Sequence, residues 1–149
     1  MLEKLERIKL GHIPTPIEHL KNMSKHLGGP NIFIKRDDCT GLATGGNKTR
    51  KLEFLMPDAI KNKTDLVVTV GAVQSNHTRQ TAAACAILGL KCLIVLEQRL
   101  VEAPNVYMTS GNVFLDKLFG AEVILCPSNK DVKKYYRTSK WATNIYKKR

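Results

Sequence analysis

The sequence contains no long apolar run and no closely paired cysteines. No apolar stretch approaches the roughly 20 residues that a membrane-spanning helix needs. Residues 1–6 lack the apolar core of a secretory signal and carry acids, which transit peptides avoid. Three of the four cysteines (Cys85, Cys92 and Cys126) lie in apolar segments, which favours buried free thiols over disulfides or a zinc site. We therefore expect a cytoplasmic protein with no membrane contact.

Acidic residues are fewer than basic ones, and the excess of positive charge lies at the C-terminal end. The sequence has 24 Lys and Arg against 13 Asp and Glu, a formal net charge of +11. Residues 130–149 hold eight basic residues and one acid, which leaves 16 basic and 12 acidic residues, a net charge of +4, in residues 1–129. Aromatic residues in this tail can stack on bases, but no nucleic-acid-binding motif accompanies them. We interpret the tail as a solvated end and expect no nucleic-acid partner.

Apolar strands alternate with helices in the second half of the chain. Continuous apolar strands, typical of strands covered on both faces, are predicted at 66–70, 92–96 and 123–126. Helices, each followed or ended by a glycine, are predicted at 76–88 and 110–119. This β-α-β-α-β order predicts an α/β fold with a parallel open sheet and flanking helices.

The first half of the chain has a less regular pattern. Pro14 and Pro16 predict an extended, irregular N-terminal segment. A helix is predicted at 17–27, before two glycines, and a short strand at 31–35. A further helix begins near Asn47, and Pro57 is expected to kink it or end it.

The stretch GGNKTRKLE, residues 45–53, combines backbone freedom with a lysine at the predicted start of a helix. Two glycines allow the backbone a tight approach to a ligand. Lys48 can then contact a phosphate, form a Schiff base, or be an ordinary solvated lysine. A nucleotide-binding P-loop is disfavoured, because GLATGGNKT has one residue too many before the lysine.

A second candidate stretch, GAVQSNH, follows the first apolar strand and opens a helix. Ligands of open parallel sheets bind beyond the carboxyl ends of the strands, and helix N-termini attract anions. The hydroxyl, amide and imidazole of Ser75, Asn76 and His77 suit a ligand with a carboxylate. The alternative is that Ser75 or Asn76 caps the helix and His77 is a surface residue.

Histidines recur every seven residues near the N-terminus, at His12, His19 and His26. Such spacing suggests a metal site on one helix face. Because Pro14 and Pro16 separate His12 from the other two histidines, they cannot share one helix. We predict no metal site.

Together with PTPIEHL and IFIKRDD upstream, the two candidate stretches resemble the D-cysteine desulfhydrase and 1-aminocyclopropane-1-carboxylate deaminase family. The resemblance runs from about Gly11 to about Cys126. It implies a pyridoxal-phosphate enzyme of fold type II, the tryptophan-synthase-β-like fold. It also implies a small amino-acid substrate and, in full-length members, a homodimer.

The same resemblance implies roles for four residues. Lys48 matches the catalytic lysine that binds pyridoxal 5'-phosphate covalently when the full site is assembled. Asn76 matches the asparagine that hydrogen-bonds the ring hydroxyl of the cofactor and borders the substrate. Ser75 matches a catalytic serine beside the substrate, which contacts its carboxylate or acts as a nucleophile. His77, a further substrate-binding position, resembles the desulfhydrase branch, because the deaminase branch typically has glutamine there.

Family members are roughly twice as long as this chain. The other half carries the glycine-rich loop for the cofactor phosphate, so the resemblance implies a truncated, N-terminal part of the fold. Residues 1–56 then form a piece of the larger cofactor domain, 57–126 the smaller α/β domain, and 127–149 a basic tail that does not match the family. Unpaired strand residues 32–34 predict an exposed apolar edge and marginal solubility or oligomerisation.

The expected reaction is β-elimination, in which D-cysteine gives pyruvate, hydrogen sulfide and ammonia. The alternative reaction is ring-opening deamination of 1-aminocyclopropane-1-carboxylate. A second alternative is a truncated, non-catalytic remnant or binding module without the cofactor phosphate loop.

Overall fold

The fold contains two small sheets and the helices packed on them. The structure, a computed structural model, describes residues 2–127, 130, 131 and 135. Strands in this part of the chain are β1 Ile17–His19, β2 Phe33–Lys35, β3 Leu66–Ala72, β4 Lys91–Gln98 and β5 Glu122–Pro127. Helices in the same part are α1 Lys21–Leu27, α2 Lys48–Lys61, α3 Asn76–Leu88, α4 Asn105–Thr109 and α5 Gly111–Leu118. None of the described helices is long and apolar enough to cross a membrane.

The larger sheet is parallel, with the strand order β3-β4-β5. Across it, Val70 lies opposite Val95, and Val95 lies opposite Ile124. Residues 92–96 of the central strand are each at most 3% exposed, as expected for a parallel strand covered on both faces. The predicted α/β class, the parallel sheet and its three strands are confirmed, and each strand is slightly longer than predicted.

Helices α3 and α5 pack against the larger sheet and against each other. Small side chains along residues 82–85 of α3, all at most 5% exposed, allow this helix to lie close to β4. The predicted burial of Cys85, Cys92 and Cys126 is confirmed. Helix α4 was not predicted, because it has five residues and no buried side chain, and so produces no apolar periodicity.

The smaller sheet is an antiparallel pair of β1 and β2. The predicted helix at 17–27 is wrong in its first turn, because Ile17–His19 is extended and pairs with Phe33–Lys35. A long-range strand pairing thus overrides the local helical pattern. Phe33 and Ile34 are 59% and 40% exposed, as predicted, whereas Ile32 is half-buried.

Helix α2 continues through Pro57 to Lys61, so of the two expected effects of the proline, a kink or an end of the helix, the second is wrong. Proline has no N–H to donate to the carbonyl four residues earlier. That carbonyl, on Glu53, instead accepts a hydrogen bond from the Ile8 N–H at 2.9 Å. The N-terminal segment therefore satisfies the group that the proline leaves free. The predicted boundary between the larger cofactor domain and the smaller α/β domain, at residues 56 and 57, falls inside this helix.

The carboxylate of Glu53 is fully buried and holds the same N-terminal segment. Its Oε1 accepts from the N–H groups of Leu10 (3.0 Å) and Gly11 (3.1 Å), and its Oε2 accepts from Arg7 Nε (2.7 Å). Burial alone would raise the pKa of Glu53, but these three donors more than offset it and the pKa lies below its usual range. Glu53 therefore stabilises the fold in its ionised form.

Replacing Glu53 by glutamine should lower the free energy of unfolding by roughly 2 to 4 kcal/mol, because an amide N–H would then face the Arg7 guanidinium. Since the folded pKa is depressed, the wild-type advantage is present above the unfolded pKa of about 4.3 and is lost as pH falls through the folded value. Urea unfolding at neutral and acid pH measures both effects. Glu6→Gln, an exposed site, is the charge-matched control. An equal loss in both variants would contradict the anchoring role of Glu53.

Candidate functional site

The loop before Lys48 approaches two other segments so closely that only glycine fits. We call residues 41–47 the lysine loop. Gly45 has a φ of +80°, and a Cβ there would lie 1.8 Å from the Asp38 carbonyl oxygen. Gly46 has a φ of +139°, and its Cβ would lie 2.5 Å from Gln80 Oε1 on α3. Gly45 therefore lets the lysine loop lie against the Asp38 backbone, and Gly46 lets it lie against α3.

Buried hydrogen bonds fix the loop in that place. Gln80 is fully buried; its Nε2 donates to the Gly46 carbonyl at 3.0 Å and to Thr49 Oγ1, and its Oε1 accepts from the Lys48 N–H at 3.2 Å. Thr40 Oγ1 accepts from the Gly46 N–H at 2.8 Å. These bonds set where α2 begins, and Lys48 is its first residue.

Lys48 and Asn76 meet through a third side chain. The Lys48 ammonium donates to Asn47 Oδ1 at 2.8 Å, and Asn76 Nδ2 lies 3.5 Å from the same oxygen. The structure thus brings together the two residues that the resemblance assigns to the cofactor. Asn47, in GGNKTRKLE, and Gln80, on α3, had no predicted role, because Asn76 and Gly46, which they contact, are distant from them in sequence.

Ser75 precedes α3 and caps it. Its Oγ accepts from the His77 N–H at 3.2 Å, so the interpretation as a helix cap is confirmed. The hydroxyl proton of Ser75 is not used in that bond and stays available to donate. Ser75 and Asn76 are both half-buried at the N-terminus of a 13-residue helix, where N–H groups and the helix dipole favour an anion.

His77 faces β3. Its Nε2 lies 2.8 Å from Thr69 Oγ1, and its buried Nδ1 has no hydrogen-bond partner among the described residues. Burial lowers the pKa of His77, and the nearby charges of Lys51 and Lys48 lower it further. The imidazole is therefore neutral near pH 7. It lies beside the cluster of Lys48 and Asn76 without a hydrogen bond to either.

The chain belongs to the family of pyridoxal-phosphate dependent enzymes, which it matches over residues 8–148. It is 52% identical over 134 residues to the 1-aminocyclopropane-1-carboxylate deaminase of Mesorhizobium japonicum, and 49% identical over 134 residues to that of Bradyrhizobium diazoefficiens. Each alignment covers 89% of this chain and 40% of the relative. A crystal structure described as an ACC deaminase homologue superposes with a TM-score of 0.74 at 40% identity, over 98% of this chain and 41% of that one.

The comparisons confirm the predicted family and the fold type II architecture. The chain spans about two fifths of the length of the relatives that it matches. The family match reaches residue 148, beyond the predicted limit of the resemblance at Cys126. Most of the predicted basic tail lies outside the described residues, so its predicted structure and the three-part division stay predictions.

The donor set around Lys48 fits one side of pyridoxal phosphate. The lysine amine is the group that can bond to the cofactor's carbonyl carbon, and the Asn76 amide is a donor for a ring oxygen. Glycines at 45 and 46 keep the loop backbone free of side chains beside that amine. No glycine follows Gly120 in the sequence, so the glycine-rich phosphate loop of the family is not in this chain.

A buried carboxyl lies where α5 packs beneath the start of α3. Asp116 Oδ2 accepts from Thr78 Oγ1 at 3.2 Å, and Oδ1 has no hydrogen-bond partner among the described residues. Burial raises the pKa of Asp116 to about 7, although the Thr78 hydrogen bond and the Arg79 charge oppose the shift. The folded chain therefore keeps a proton on this carboxyl in mildly acid solution.

Asp116→Asn should remove a pH dependence of stability. Because the folded pKa of about 7 exceeds the unfolded value of about 3.9, wild-type stability is fully present below the unfolded value and declines as pH rises through 7. The free energy of unfolding of the variant, relative to that of the wild type, should therefore rise by roughly 2 kcal/mol between about pH 5 and pH 8. Urea unfolding across this range measures the gain, with the exposed Asp65→Asn as control. A constant difference between Asp116→Asn and the wild type would contradict the raised pKa.

Proposed function

We propose that this chain forms the lysine side of the active site of a pyridoxal-phosphate dependent enzyme that opens the ring of 1-aminocyclopropane-1-carboxylate and releases ammonia. The observation that carries the proposal is the sharing of Asn47 Oδ1 by the Lys48 ammonium and the Asn76 amide. The names of the two relatives supply the substrate. They support the deaminase alternative better than the D-cysteine reaction that His77 favoured.

Lys48 would hold the cofactor, which supplies an electron sink for the substrate's bonds at its α-carbon. Asn47 positions the lysine amine, and α2 fixes the backbone beneath it. The Lys48 amine would also carry a proton to or from a substrate carbon. The Asn76 amide would donate to a ring oxygen of the cofactor and so help to orient the ring.

The substrate's carboxylate fits the N-terminus of α3. Ser75 Oγ accepts from His77 N–H and keeps its own proton free to donate to a carboxylate oxygen. The unpaired N–H groups of the first turn supply further donors. Neutral His77 adds no positive charge there, so the carboxylate is held by hydrogen bonds.

D-Cysteine β-elimination stays the second candidate reaction, and a non-catalytic binding module the third. D-Cysteine β-elimination needs the same lysine and cofactor as the deamination, so only the products distinguish these two reactions. The binding module predicts that the chain forms no covalent bond to the cofactor through Lys48. We also propose that the protein is cytoplasmic, as its N-terminal residues suggest, and homodimeric, as the family resemblance implies. Residues 1–56 would belong to its larger domain.

Lys48→Ala should abolish the visible absorption band of lysine-bound cofactor when the purified chain is mixed with pyridoxal phosphate. Lys51→Ala is the matched control, because Lys51 is an exposed lysine on the same helix, one turn later. The wild type and the control should show one equivalent of the band. An equal band in Lys48→Ala would contradict the assignment, and no band in any sample would favour the binding module.

The products distinguish deamination of 1-aminocyclopropane-1-carboxylate from β-elimination of D-cysteine. The chain is combined with the C-terminal remainder of a relative, supplied as a separate polypeptide, and offered each amino acid. Deamination of 1-aminocyclopropane-1-carboxylate gives α-ketobutyrate and ammonia, whereas D-cysteine gives pyruvate, hydrogen sulfide and ammonia. We expect α-ketobutyrate to form faster. Faster release of sulfide would overturn the proposed substrate and restore the desulfhydrase assignment.

A further inference from the structure

Arg79 connects the lysine loop to the first turn of α5. The guanidinium of this α3 residue donates through Nη2 to the Gly45 carbonyl at 2.6 Å and through Nη1 to Asn112 Oδ1 at 2.8 Å. Gly45 belongs to the lysine loop, and Asn112 lies in the first turn of α5. A single side chain therefore ties the lysine loop to a helix that follows it by more than sixty residues.

Asn112 continues the connection to the segment before Ser75. Its Nδ2 donates to the Gln74 carbonyl at 2.9 Å, and its N–H donates to Gln74 Oε1 at 2.9 Å. The Asn112 side-chain amide thus uses its oxygen for Arg79 and its nitrogen for Gln74, so both contacts require one orientation of the amide. Residues 73–75, which we call the serine loop, are held by this contact.

The side chain of Gln74 leaves the serine loop little freedom to shift. Its Nε2 donates to the carbonyls of Tyr107 (2.6 Å) and Ser110 (2.9 Å), while its Oε1 accepts from Asn112. Gly111 has a φ of +57°, and a Cβ there would lie 2.7 Å from Gln74 Oε1. The close approach between Gln74 and the start of α5 therefore depends on glycine at this position.

We propose that Arg79 is a positioning residue that sets the spacing between the lysine loop and the serine loop, by way of Asn112 and Gln74. The inference rests on the proposed function in one respect, namely that Lys48 and Ser75 act on the same bound molecule. Gly45 is three residues before Lys48, and Gln74 directly precedes Ser75. The chain of hydrogen bonds from Gly45 through Arg79 and Asn112 to Gln74 therefore has one end near Lys48 and the other end next to Ser75.

Arginine suits this role because its planar guanidinium offers two separate Nη donors in a fixed fork. A lysine at this position has one ammonium, which cannot reach the Gly45 carbonyl and Asn112 Oδ1 in the same geometry. Arg79→Lys keeps the charge and most of the side-chain volume. It therefore removes the bridging geometry selectively.

The first test needs no cofactor. Amide hydrogen exchange is measured by mass spectrometry in the wild-type chain, Arg79→Lys, Asn112→Ala and the double variant, with the exposed Arg99→Lys as control. We expect at least about fivefold faster exchange in both loops in either single variant, unchanged exchange in β4, and no further increase in the double variant, because the two residues act in one path. Exchange that changes in one loop only, or in neither, would overturn the proposal.

The second test measures the affinity for pyridoxal phosphate and the rate at which the Lys48 band appears. Under conditions where both variants are folded by urea titration, Arg79→Lys should weaken the affinity at least about tenfold, and Arg99→Lys should behave as the wild type. A normal band and affinity in Arg79→Lys would overturn the positioning role while the proposed function stands. Coupled exchange of the two loops with no band in the wild type would support the positioning role and count against the proposed function.

Discussion

The side-chain amide of Gln80 holds the lysine loop against α3, and the geometry of the candidate site depends on that contact. A buried amide must find partners for its oxygen and nitrogen, because leaving either unpaired costs about 1 to 3 kcal/mol. Gln80 finds them in the Gly46 carbonyl, Thr49 Oγ1 and the Lys48 N–H. These bonds fix the lysine loop in one position. As a result, Lys48, the first residue of α2, lies beside the N-terminus of α3.

The middle of α2 is fixed by a second buried polar group. Glu53 binds the N-terminal segment through Leu10 and Gly11, and its backbone carbonyl accepts from Ile8 because Pro57 cannot donate to it. Helix α2 is thus held by polar contacts at its start and at its middle. A helix with so little freedom to rotate holds the Lys48 amine in a precise position, as contact with a bound ligand requires.

The sequence predicted the parallel sheet because strands buried on both faces leave continuous apolar runs, as in residues 92–96. It also predicted Lys48, Ser75 and Asn76, through motifs whose letters carry the resemblance. It did not predict the roles of Asn47, Gln80 and Arg79, because each has a partner that only folding brings near. Two differences in secondary structure have the same cause: the strand at Ile17–His19 depends on distant Phe33–Lys35, and the helix through Pro57 depends on distant Ile8.

The most direct test of the account is the hydrogen exchange rate of the Lys48 backbone N–H in the wild type and in Gln80→Leu, measured by NMR. The first N–H of a helix has no partner within the helix, so its protection must come from Gln80 Oε1. We expect a protected Lys48 N–H in the wild type and rapid exchange in the variant, with the exchange of the Phe54 N–H in the middle of α2 unchanged. Equal exchange of the Lys48 N–H in both proteins would show that the Gln80 contact does not hold the lysine in place.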